Sequence, residues 1–173
     1  HVLLGEWDAA EALFHRALAL RERIGYRRGI ALTYQGLGKV AAARGELDLA
    51  DEYLRRSHVG LDAEGDRYDA AWSRAFRAQA VADLGDAARA LALLDEAFAR
   101  MKSTGSVYGQ AGLVEISGRI QQAIGHESEA RERYREAAEL FASSDPIAAR
   151  RVSLRLSGSL DAEVEPTTAK WRL

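Results

Sequence analysis

The sequence has no cysteine, which excludes disulfides, thiolate nucleophiles and cysteine-ligated zinc and gives no argument for an oxidising compartment. The location it predicts is cytoplasmic. No apolar run approaches the roughly 20 residues that span a bilayer, and no charged-then-apolar leader opens the chain, so no membrane role is expected. An excess of one charge is missing too: 24 basic and 26 acidic residues are interspersed and leave a net charge of −2. Such a surface has no field that would recruit phosphate backbones, so nucleic acid is not expected as a direct ligand. Prolines number two, Pro146 and Pro166, and nowhere does a period-two strand pattern appear. The fold these absences leave is all-α.

What the chain does have is a period. In frames of 40 residues beginning at Gly5, Gly45, Gly85 and Gly125, the first column is glycine and the sixth is alanine: Ala10, Ala50, Ala90 and Ala130. Four residues on comes a large side chain (Phe14, Leu54, Leu94, Tyr134), then a small one (Ala17, Ser57, Ala97, Ala137), then Arg21, Leu61, Met101 or Phe141. Alternating spacings of four and three make one stripe on a helix of about 18 residues, about 27 Å long. A second break falls at Gly25, Gly65 and Gly105, with Asp145 in the last frame. Asp66 and Asp145 are suited to cap the free amides of the helices that follow them, and Pro146 suits a first turn. Each frame therefore reads helix, short turn, helix, short turn, with each frame glycine at the bend between the two antiparallel helices of a unit. Such pairs bury their apolar faces by stacking into a superhelix.

The pattern resembles the tetratricopeptide repeat. The stretch "YQGLGKVAAARGELDLADEYLRRS", Tyr34 to Ser57, carries the match: Leu37 and Gly38, the bend at Gly45, then Ala50, Leu54 and Ser57. Later units keep a small first-helix residue as Ala78, Gly118 and Gly158. The period of 40 exceeds the family's usual 34 and resembles a variant found in bacterial multidomain regulators and cell-polarity scaffolds. The organisation it implies is a repeat array over residues 1–158, with the first unit reduced to "HVLL" of its first helix and the last unit incomplete, and a tail, cap or linker over 159–173. Because the chain opens on His1 inside a repeat, a segment of a longer protein is expected, with truncated ends through which two copies could pair end to end.

In that family the first helices of the units line a concave groove. Counting from the Leu-Gly pair, the resemblance places the ligand-facing positions at Gln35 and Lys39, at Trp72, Phe76 and Gln79, at Glu115, Arg119 and Gln122, and at Arg155. The lysine and asparagine set with which some members clamp a peptide's terminal carboxylate is not reproduced. Trp72 and Phe76, four apart on one face, have two readings, groove anchors or core between adjacent units. Arg74 occupies a position the family usually fills with a large apolar residue, which suggests a locally rotated helix.

Nothing in the sequence assembles a reaction centre. "GLGKVAAARG" resembles a phosphate loop superficially, but Thr33 stands where its first glycine belongs, Val40 where its hydroxyl belongs, and no strand precedes it. The histidines, His1, His15, His58 and His126, form no metal-ligand spacing, and His15 and His58 read as surface or rim residues. Glu127 and Arg131, and Glu129 and Arg133, sit at i, i+4 spacing on a solvated helix face. The expectation is a protein with no cofactor, no metal and no enzymatic activity, which binds a protein or peptide in its groove. The alternative is a sensory or regulatory segment of a larger bacterial transcription regulator or signalling ATPase, which the preponderance of arginine over the three lysines, Lys39, Lys102 and Lys170, makes credible through a GC-rich genome.

Overall fold

The computed structural model describes residues 2–156 as eight helices in antiparallel succession: α1 (Val2–Arg23), α2 (Arg27–Ala43), α3 (Leu47–Ala63), α4 (Arg67–Asp83), α5 (Ala87–Lys102), α6 (Val107–Ala123), α7 (Glu127–Ala142) and α8 (Pro146–Leu156). No strand occurs among the described residues. Gly158 and the tail expected from residue 159 onward lie outside them.

The turns explain the regularity. Gly25, Gly45, Gly65, Gly85, Gly105 and Gly125 all have positive φ, between 69° and 92°, a left-handed conformation that a Cβ would penalise. At Gly45 the Glu46 amide donates to Ala41 O at 2.9 Å and the Gly45 amide to Ala42 O at 3.0 Å, the paired bonds that close a helix end around a left-handed residue. The residue after each glycine is already the cap of the next helix. Asp66, Asp86 and Ser106 each accept from a backbone amide three residues on, and Asp145 accepts from Ala148 N at 2.9 Å. From α1 to α7, one left-handed glycine followed by one N-cap residue thus reverses the chain every 20 residues.

Gly5 is the exception. It lies inside α1, which runs unbroken from Val2 to Arg23, so the bend expected there is not formed. The few residues before Gly5 are too short to nucleate a helix of their own, and carrying the existing helix through one glycine costs only about 1 kcal/mol.

The stripes pack as their sizes dictate. Ala50, Leu54, Ser57 and Leu61 are all 0% exposed, and the corresponding residues of α5 and α7 are at most 4% exposed. Small residues on the even helices receive the large ones: a Cβ added to Gly38 would meet Leu54, and one added to Gly118 would meet Tyr134. Within the array α2 touches α4 and α4 touches α6, whereas no contact of that extent joins α3 to α5 or α5 to α7. The helices α2, α4 and α6 therefore form the inner layer and the odd helices the outer one. In α4 every residue from Ala70 to Ala82 is buried.

Candidate protein-binding face

The inner layer brings the sequence-predicted positions together, but as a packed seam more than an open groove. Trp72 and Phe76 are 8% and 3% exposed and stack at 5.7 Å between centroids. Gly112 of α6 leaves room for the indole, since a Cβ there would sit 2.2 Å from the ring. These aromatics are core between units, not groove anchors; the alanine- and glycine-rich α4 and α6 approach so closely that the rings fill the interface. Gln79 and Glu115, at 1% exposed, and Arg119, at 6%, are buried as well. The Gln79 Nε2 has no acceptor among the described residues.

Gln35 is partly buried and tied to α4, its amide donating to Ser73 Oγ at 2.8 Å. Ser73 also meets Ser57 Oγ at 2.8 Å, so a buried polar link joins α2, α3 and α4. Gln122 is exposed and accepts from the Tyr134 hydroxyl at 3.0 Å. Lys39 reaches across from α2 and places Nζ 5.0 Å from the centre of the Phe76 ring. Burial, and then the nearby charge of Arg119, hold its ammonium below the usual lysine range. Among the described residues no carboxylate pairs with it, so its positive charge is answered only by the ring face.

Glu115 organises the far end of the seam. Arg119 Nη2 lies 2.6 Å from its Oε1, Arg151 Nη2 2.7 Å from Oε2, and Arg155 Nε 3.6 Å from Oε1. Burial alone would raise the carboxyl, but the charges of Arg119 and Arg151, the hydrogen bond from Arg119 and the charge of Arg155 bring it below the ordinary range. Arg155 lands here although the turn before α8 is a residue short: the capping Asp145 follows Ser106 after 39 residues rather than 40. Arg151, four residues earlier on the same face, was not among the expected positions; its spacing from Arg155 is the signal that points to it.

The outer side holds a network that sequence reasoning missed. Arg74 is 4% exposed and does not rotate outward. It pairs with Asp62 of α3 and, at 3.2 Å, with Glu96 of α5, which is what lets an arginine occupy an apolar position. Arg77 Nε lies 2.6 Å from Asp51, which also accepts from Arg89 at 2.7 Å. His58 is not a rim residue: it is 7% exposed, with Nε2 3.1 Å from Arg77 Nη1. Since a guanidinium only donates, Nε2 accepts and the proton sits on Nδ1. Nor do the expected pairs on α7 form as drawn, because Arg133 reaches Glu136 at 2.8 Å and Glu129 accepts from Ser128. On a fully solvated face these alternatives differ by tenths of a kcal/mol.

His58 makes stability depend on pH. Burial, followed by the charges of Arg74 and Arg77, lowers its pKa from 6.5 to about 4. Between those values the unfolded chain binds the proton and the folded chain does not, so stability falls as pH drops through this window. The full effect is about 3 kcal/mol. Urea unfolding of the parent and of His58→Gln across pH 7 to pH 4 reads it: the gap in stability should shift steadily against the parent, and a constant gap would show that His58 protonates freely in the fold.

The described part of the molecule is thus an α-solenoid of stacked antiparallel helix pairs. Residues 1–58 match the family model of the tetratricopeptide repeat, and the later pairs repeat the same turn glycines and stripe. Repeats of this family generally mediate protein–protein interaction and are typically non-enzymatic. No curated protein matches the chain. No described helix is long and apolar enough to cross a membrane.

Proposed function

We propose that the chain is a protein-binding scaffold that receives a segment of a partner along its inner layer, without chemistry. The observation that carries this reading is Lys39: a half-buried cation on the inner layer, over an aromatic ring and beside Arg119, with no carboxylate partner among the described residues. A protein surface that holds such a charge ready gains register and specificity from an acidic group on the segment it binds. Gln35, Lys39 and Gln122 would stand at its accessible edge, with Trp72, Phe76, Gln79, Glu115 and Arg119 packed beneath them as its support and Arg155 largely covered at Glu115.

The test is affinity capture from the source lysate with the parent chain and with Lys39→Glu, checked for equal helix content. A protein captured by the parent should be at least fivefold depleted on the variant. Equal capture would remove the inner layer as the contact surface. In the regulatory reading the same layer would pack against another domain of a larger polypeptide, and the parent would capture nothing from the lysate.

End-to-end pairing of two copies would use α1. Leu13, Leu20 and Ile24 are 62%, 55% and 66% exposed, and Ala10, Phe14 and Ala17 are only partly buried at positions that are buried in the later units. A mass that rises with concentration in light scattering would support such pairing.

A further inference from the structure

The helix α8 is held differently from the inner helices before it. Where α4 and α6 bury almost all of their middle turns, α8 buries only Ala148 and Val152. Between and beyond them Arg151 and Arg155 both reach Glu115. These four residues fall at i, i+3, i+4 and i+7, which is a single helix face. The apolar pair shares one core cluster with Ala111, Val114, Tyr134 and Phe141, and Ala149 and Leu156 of the same helix pack partly buried against it. On the other side Ile147, Arg150, Ser153 and Leu154 are exposed.

We propose that Glu115 and the apolar surface of Ala111, Val114, Tyr134 and Phe141 form a docking site for an amphipathic helix carrying two basic residues four apart. In this structure α8 occupies the site in cis, and it yields the site to such a helix of a partner protein. This proposal rests on the protein-binding reading and names one site and one class of partner for it.

Charge complementarity argues for this occupant. Glu115 is 1% exposed, so any helix seated there without cations would bury a carboxylate short of partners, a penalty that selects against apolar or acidic competitors. Ala148 and Val152, with the partly buried Ala149 and Leu156, supply the apolar contact of α8, and its two guanidiniums supply the charge that the buried carboxylate requires. A tethered occupant also competes at a high effective concentration and masks the site from weak ligands.

The test uses a fluorescein-labelled peptide copying residues 146–156, titrated by anisotropy against the parent chain and against a chain carrying Val152→Ser and Arg155→Ser, with Arg155→Ser alone as a milder variant. Hydrogen exchange follows α8 and α4 in each chain. The expected result is faster exchange over 146–156 with α4 still protected, and peptide binding at least tenfold tighter to the loosened chains than to the parent. A peptide with glutamate at both inward arginine positions should bind at least tenfold more weakly. The proposal is overturned if the peptide fails to bind chains whose α8 has been released, if the charge-reversed peptide binds equally, if parent and variants bind alike, or if α8 stays as protected as α4 in every variant. Should it fail while Lys39-dependent capture succeeds, the protein-binding reading stands and only this site falls.

Discussion

Replacing Trp72 by alanine should lower the free energy of unfolding by about 3 to 5 kcal/mol, the range for deleting a large buried aromatic. The indole is 8% exposed, stacked on Phe76 and edge-on to Tyr68, with ring centroids 5.7 and 6.3 Å apart. It fills the space that Gly112 leaves on α6, so the loss falls on the contact between consecutive units, where a repeat array has few other contacts to share it. The same geometry predicts a change of sign. Gly112→Ala in the parent places a methyl against the ring and should destabilise, whereas in the Trp72→Ala background it should be neutral or stabilising, a coupling that a double-mutant cycle resolves. Urea unfolding measures all three variants. A loss below about 1 kcal/mol for Trp72→Ala would return the indole to an accessible groove.

The layers of the fold were legible in different degrees, and the reasons are physical. The turns were readable because one residue type meets a stringent backbone demand: every glycine at a left-handed bend was visible as a break, and Asp66 and Asp145 were visible as caps because the following amides have few other acceptors. Stripe residues such as Ala50, Leu54 and Ala97 were readable for a similar reason, since helix periodicity states which face is buried. Gly5 misled because a glycine permits a bend without enforcing one. The candidate site was less legible. Whether Trp72 faces a groove or a neighbouring unit depends on how closely α4 and α6 approach, and that distance is set jointly by Gly112 and the alanines of α4, not by the tryptophan's own position. Arg74 and His58 were misjudged and Arg77 was missed because each is buried with partners 12 to 26 residues away in sequence. Charge pairing across helices leaves no periodic mark.

Glu115→Ala is the substitution expected to do the most damage among the charged residues, about 3 to 5 kcal/mol, because it removes one partner of a buried ionic cluster. Its carboxylate accepts from Arg119 and Arg151 and pairs by charge with Arg155, whose side chains are 4%, 34% and 10% exposed. Arg151 can turn its guanidinium to water, but Arg119 has little such freedom, so the cost should concentrate on α6. A compensating exchange separates ionic need from mere packing. Replacing the pair together, Glu115→Leu with Arg119→Met, removes the two most buried charges of the cluster and should recover stability to within about 2 kcal/mol of the parent, since a buried pair contributes little over an apolar pair of similar volume. Chemical unfolding of the single and double variants decides the matter. If Glu115→Ala costs less than about 1 kcal/mol, the arginines do not depend on this carboxylate and α8 is held by its apolar contacts. If the double variant is no better than the single, the cluster has a geometric role that apolar side chains cannot replace, consistent with the inner layer keeping its charges to position a partner and not to stabilise the array.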